Sequence, residues 1–406
     1  MYKLSRLSPA LVNSVYLWGA RFSRNQLLLA QESVYLQRAV QSVSLALAEG
    51  PRHNIVYLIQ AEVLLTSYFY ASNRLLEGRY HCNAAVALVL SSHLNKLRSA
   101  QPPTPRSPVV VANYQLPQPV DAIEEGERIN AFWTVFIQDK QWGAAAGLQS
   151  HFNGTPGAQV DTPWPLEIED YERGGFPLAW RSSNTVHNFL TGEGLDVFGT
   201  ALFALHAKAA TLFERAARLM SQWTANPAYS ERFATELFTL DGAIDRFIAS
   251  LPPVHLHLDV DVARKLIITH TLARDATIKV QAAMKQVTGM PSDKDVVAAQ
   301  AIAAMLDNTN IGGLYYVDPI VAIVWSDICR VLSGEAARLR LLWSSTSLLA
   351  DQAGAGRELQ HIEADHNRLG VALQKVLAAM TTLANTCPLT AVQAAKVQQE
   401  MENAAR

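Results

Sequence analysis

Residues 124–146 read EEGERINAFWTVFIQDKQWGAAA, and this stretch decides the fold. Ile129, Phe132, Trp133, Phe136 and Ile137 recur at three- and four-residue steps, so they share one face of a helix. That face is too apolar to be left in water and calls for a packed neighbour. Arg128 and Asp139 lie about three helical turns apart, on a similar side but out of each other's reach. Each is expected to pin a neighbouring helix or loop rather than to touch a ligand.

Working outward, the same periodicity fills most of the sequence, and strand-like alternation is scarce. Upstream, Leu11, Val15, Trp18 and Phe22 form one apolar face. Leu28, Val34, Leu36, Val40, Val43 and Leu47 suggest a second helix that stops at Gly50-Pro51. Ile55 to Tyr70 and Leu75 to Leu97 read as two more, with Asn73 as a cap for the latter. Residues 101–119 then carry Pro102, Pro103, Pro105, Pro108, Pro117 and Pro119, which block helix propagation and make an extended connection.

Beyond the opening stretch, residues 148–194 are dominated by Gly, Pro, Asn and Ser, a loop long enough to be functional. The Phe132-Trp133-Phe136 face is expected to pack beneath it, with Tyr68, Tyr70 or Trp164 nearby. Helices resume at roughly 195–224, 228–250, 259–289, 292–307, 318–351, 356–385 and 388–404, and no fixed period repeats. The fold class is all-α: an irregular multi-helix bundle of about twelve helices in two packed sub-bodies. Its parts are an N-terminal helical part (1–100), the proline-rich connection (101–120), a central part (121–250) and a C-terminal part (251–406).

One helix carries a second pattern. Leu359, Ile362, His366, Leu369, Leu373, Val376, Met380 and Leu383 follow alternating three- and four-residue steps, a heptad seam with one polar member. The seam fits packing against residues 318–351 of the same chain, or self-association of two chains.

Composition narrows the function. Hydrophobic residues make up 49% and charged residues 17%, which suits a well-buried body and excludes a disordered activation segment. The formal net charge is −2, and the densest basic stretch, Lys96, Arg98 and Arg106, is interrupted by prolines, so unaided DNA binding is not expected. Three scattered cysteines, Cys82, Cys329 and Cys387, fit a reducing compartment and exclude a multi-cysteine zinc site. Met1 to Pro9 is polar and basic, and the longest apolar run, Ala84 to Leu90, is far short of a membrane span, so a soluble intracellular protein is expected.

Motifs with catalytic or metal-binding spacing fail on inspection. His255 and His257, near Asp259 and Asp261, lack further ligands and read as a solvated linker. His361 and His366 are five apart, whereas a zinc-binding helix needs two histidines at i and i+4. No nucleophile elbow, phosphate-cradling glycine turn or aspartate-rich box occurs. No catalytic, cofactor or metal residue is assigned, and the chain is not expected to be an enzyme.

Five segments, in order, resemble the middle homology region of fungal zinc-cluster transcription factors. The strongest is Arg128, the Phe132-Trp133 pair and the run to Asp139-Lys140, followed by the small residues Gly143 to Gly147. Asp161-Thr162-Pro163-Trp164-Pro165-Leu166 matches a later Trp-Pro step. Asn73 to Gly78 with Ala84-Ala85 and His93-Leu94 is similar to an upstream helix. Val317-Asp318-Pro319 with Trp325, and Cys387-Pro388-Leu389, are similar to downstream points.

The resemblance implies a nuclear regulatory domain without an enzymatic activity. It implies a small apolar effector, with Tyr70, Phe132, Trp133, Phe136 and Trp164 as the candidate pocket and Arg128 and Asp139 as structural signature residues. It also implies a homodimer and contacts with transcription machinery or co-regulators. Zinc and DNA belong to the family's six-cysteine cluster, which this sequence lacks, so the chain is expected to be a truncated regulatory region or a product without that module. A helical interaction scaffold is the alternative, and an all-helical enzyme a weaker one.

Overall fold

A computed structural model describes residues 8–49, 55–101, 116–155, 157–193, 198–222, 227–289, 292–347 and 355–405. The helices in chain order are α1 (Pro9–Arg21), α2 (Gln26–Leu29), α3 (Glu32–Glu49), α4 (Ile55–Ala71), α5 (Leu75–Ser91), α6 (Ala122–Ala145), α7 (Ile168–Glu172) and α8 (Thr185–Thr191). They continue with α9 (Leu202–Gln222), α10 (Pro227–Ser250), α11 (Val260–Thr288), α12 (Lys294–Asp307), α13 (Ile320–Ser347), α14 (Ala355–Ala384) and α15 (Pro388–Ala405). The described residues contain no β-strand, only an isolated parallel pairing of Ser99 with Ser182. The chain is all-α. The expected helices gain three short ones, α2, α7 and α8, each under eight residues and too brief to show a period. Gly50-Pro51, most of the proline-rich connection and Met290-Pro291 lie outside the described residues.

Contacts group into two compact units, Met1–Thr211 and Leu212–Arg406. In the first, α1 packs against both α3 and α4. It does so through Ala10, Ser14, Leu17 and Ala20, not through the expected face, since Val15 and Phe22 are exposed. Small side chains let the neighbouring backbones approach closely. Trp18 stays half-buried, donating its indole N–H to the Leu64 carbonyl at 3.0 Å while Phe22 stacks on it. The expected single helix from Leu28 to Leu47 is broken between α2 and α3, and α3 buries Ala39 and Val43.

Asn73 does not cap α5. It sits in the left-handed region at φ +59° just past α4, a bend that asparagine tolerates, and Arg74 takes the N-cap position. The expected helix to Leu97 ends at Ser91, where left-handed His93 turns the chain into a 3-10 turn over Leu94–Lys96.

Helix α6 starts where its cap demands. The Asp121 carboxylate accepts the Glu124 backbone N–H at 2.8 Å, and Glu124 and Glu125 complement the positive end of the helix dipole. Its centre is almost wholly buried, and Gln138 ties it to α4 by donating to the Val63 carbonyl and the Ser67 hydroxyl.

In the second unit α11 is the central helix, burying sixteen of its residues and packing on α10, α12 and α13. Helices α13 and α14 form a hairpin, the most extensive helix pairing among the described residues, with α12 and α15 against it. Along the α14 seam, Leu369, Leu373, Val376, Met380 and Leu383 are buried. Leu359, Ile362 and His366, earlier in the same pattern, are only half-buried.

Candidate functional site

The five candidate pocket residues fall into two groups. Phe132, Trp133 and Phe136 form one aromatic cluster with Trp164 and Phe152, the last two supplied by the segment after α6. The Trp133 and Trp164 rings stack at 4.5 Å, and Trp133 donates its indole N–H to the Pro163 carbonyl at 2.6 Å. Lys208, itself buried, reaches over Trp164 and Phe189 and donates to the Gly199 carbonyl. A buried ammonium needs such partners, and ring faces are one source of them. Tyr70 stands apart from this cluster, stacked on Trp142 with ring centroids 3.6 Å apart. All five side chains are buried against other aromatic rings.

Arg128 and Asp139 each tie down a different segment. Arg128 donates to the Pro117 carbonyl and to Glu124 Oε1, both at 2.6 Å, while Glu124 Oε2 accepts the Val120 N–H. The chain entering α6 is thus clipped to the helix's first turns. Asp139, also buried, accepts from Ser150 Oγ at 2.6 Å and the His151 N–H at 2.9 Å, and pairs with His151 Nδ1 at 2.7 Å. It closes the turn that leaves α6. The hydrogen bond with Asp139 raises the His151 pKa, with burial opposing.

Open space lies beside the Arg128 clip. A cavity of about 830 Å³ opens between the chain after α5, the start of α6 and the loop before α8. Its floor is charged: Arg98, Glu125, Arg128 and Asp161. Its rim is mixed: Val120 and Leu178 stand in solvent beside the exposed Gln118, Asp121 and Arg181, with Phe176 behind them.

The floor is held rigidly. Arg98 makes a two-pronged contact with Glu125 at 2.6 and 2.9 Å and donates to the Pro177 carbonyl at 2.6 Å. It does so from a left-handed backbone at φ +52°, a strained conformation for a non-glycine residue that surrounding bonds must maintain. Asp161 accepts from Lys96, Ser99, Gln159 and the Asn184 N–H. Burial would raise its pKa, but these four donors outweigh it and hold the carboxyl below the usual carboxylate range. Arg128 Nε is enclosed by protein, with no hydrogen-bond partner among the described residues.

Lys96 and Arg98, two members of the densest basic stretch, are therefore committed to Asp161 and Glu125 and do not present a phosphate-binding face. Arg106, the third, lies outside the described residues. Sequence reasoning missed this floor. Its members come from three separate segments, and the one local signal was the coincidence of Asp161 with the Trp-Pro step.

The second unit holds a buried ionic group of its own. Lys279 on α11 lies 3.1 Å from both Asp275 and Asp327, and Asp327 continues to Arg330, which pairs with Glu400. Burial raises the Asp275 pKa to about 6, with Asp327 adding to the effect and Lys279 opposing it. Among the described residues no three His, Cys, Asp or Glu side chains gather as a metal ion would require. No helix among them is long and apolar enough to cross a membrane.

A family model described as the fungal specific transcription factor domain matches residues 2–246, more than half of the chain. The chain belongs to that family. No curated protein and no solved structure matches it.

Proposed function

We propose that this chain is the regulatory region of a nuclear transcription factor, controlling transcription in response to a small molecule and acting as a homodimer. The family match over residues 2–246 is the observation that carries the reading. The family is one of regulators rather than enzymes, and DNA contact would come through a zinc-cluster module outside these residues.

The effector site in this reading is the cavity floored by Arg98, Glu125, Arg128 and Asp161, whose volume is that of a small-molecule site. The aromatic cluster of Phe132, Trp133, Phe136 and Trp164 packs as core and does not line this cavity. A charged floor under a rim that mixes Val120 and Leu178 with Asp121 and Arg181 favours a polar effector with a carboxylate or amine and a short apolar part, in place of the wholly apolar one the resemblance implies. Binding there would couple the segment after α5 to the first turn of α6, two pieces that contribute to the same floor.

Native mass spectrometry of the chain isolated from fungal cells tests the effector. A bound small molecule that leaves on denaturation is the expected result. A chain that carries none, and whose melting temperature no polar metabolite raises, would contradict the effector reading.

A further inference from the structure

The α14 seam continues past the point where the second unit can cover it. From Leu369 to Leu383 its apolar members are buried, yet no residue from Gly356 to Arg368 is buried. On α13 the run from Arg340 to Ser345 is exposed throughout. The distal end of the hairpin is thus a two-helix arm with an apolar repeat that no third helix among the described residues buries. A heptad repeat is a pattern for burial, and two helices alone leave one side of their groove open.

That open side has a definite shape. Between the helices lies a surface dimple of about 210 Å³ walled by Leu339, Trp343, Ile362 and His366. A cavity of about 150 Å³ holds a benzene ring, so the dimple has room for one large side chain. One position beyond the dimple-lining Arg340, Leu341 stands 73% exposed, a knob without a hole.

The charges on the arm are matched in the same way. Arg340 on α13 and Glu363 on α14 flank the dimple, and neither side chain makes an ion pair among the described residues. Their neighbours do, as Arg338 with Glu335 and Arg368 with Asp365.

We propose that this arm is where two copies of the chain pair about a two-fold axis. The inference rests on the homodimer reading above and gives it a surface, in the part of the chain beyond residue 246. In a two-fold interface each contact occurs twice with its members exchanged. Leu341 of each copy enters the other's dimple, and Arg340 of each meets Glu363 of the other. A partner carrying one sign of charge would satisfy only one of Arg340 and Glu363, whereas a second copy satisfies both. The patch is small, so the association is weak and depends on concentration.

Sedimentation of the full chain from about 1 to 100 μM, the weak end of protein association, tests it. The mass is expected to rise with concentration from the 44.5 kDa of one chain towards twice that value. Arg340→Glu and Glu363→Arg should each hold the mass at one chain, and an equimolar mixture of the two should recover the doubling. Leu341→Glu, at an exposed site, should also abolish the doubling without changing the far-ultraviolet circular dichroism. A wild-type chain that stays monomeric would overturn both this surface and the homodimer reading. A dimer that Leu341→Glu leaves intact, or single variants whose mixture stays monomeric, would overturn the surface alone.

Discussion

Trp133 donates its indole N–H to the carbonyl oxygen of Pro163 at 2.6 Å, joining the middle of α6 to the segment that returns over it. The ring is fully buried and the bond closes a gap of 30 residues. Trp133→Ala should destabilise the first unit by roughly 3–5 kcal/mol, from lost burial and the cavity left behind. Trp133→Phe keeps most of the volume but strands the Pro163 oxygen, costing about 1–3 kcal/mol. Urea denaturation followed by circular dichroism measures both, and the phenylalanine variant should fall between wild type and alanine.

The pair of Asp139 and His151 makes a pH-dependent contribution. The folded-state pKa of His151 is raised, so its stabilisation is fully present below the unfolded value, near about 6.5, and is lost as pH rises through the folded value. His151 is 43% exposed at its side chain, which keeps the effect at roughly 1 kcal/mol or less. His151→Ala should therefore cost stability at about pH 6 and little at about pH 9, read from urea midpoints at the two values.

In the second unit the sign is the same but the group is an acid. Asp275 has a folded pKa of about 6, above the unfolded carboxylate value. Its favourable contribution is present below about pH 4 and is lost as pH rises through about 6. Asp275→Asn should flatten the stability profile across that window. Lys279 keeps Asp327 as a partner in the variant, so the fold should survive. Melting temperatures from about pH 4 to 7 check this, and an unchanged slope would place the titration elsewhere.

Lys96 and Arg98 are held by the carboxylates of buried Asp161 and half-buried Glu125, so the chain should bind duplex DNA weakly and without sequence preference. What binding exists should vanish near physiological salt, because phosphate contacts fall steeply with ionic strength. A mobility-shift titration at about 150 mM salt reads it, and nanomolar sequence-specific binding would contradict it.

Helix positions were legible because three- and four-residue apolar steps and prolines are local signals. The face of α1 was not: Ala10, Ser14 and Ala20 pack closely because they are small, while hydropathy favours Val15 and Phe22. The bend at His93 depends on a left-handed backbone that no glycine announces. Arg128 and Asp139 stood out in the sequence as paired signature residues, but their partners, the Pro117 carbonyl and the Ser150-His151 turn, could not be read from it. The cavity floor was illegible for a plainer reason. Arg98 meets Glu125 and Lys96 meets Asp161 across 27 and 65 residues, and only the folded chain brings them together.

The regulatory role is tested most directly by tethering. Residues 1–406 fused to an unrelated DNA-binding module, with a reporter gene under that module's site in fungal cells, isolate what this chain contributes. The reporter should depart severalfold from the level given by the module alone. Arg128→Ala, which unclips the start of α6, should shift that output while the fusion remains at wild-type abundance. Reporter output equal to that of the bare module, with the fusion abundant and nuclear, would contradict a transcription-regulatory role.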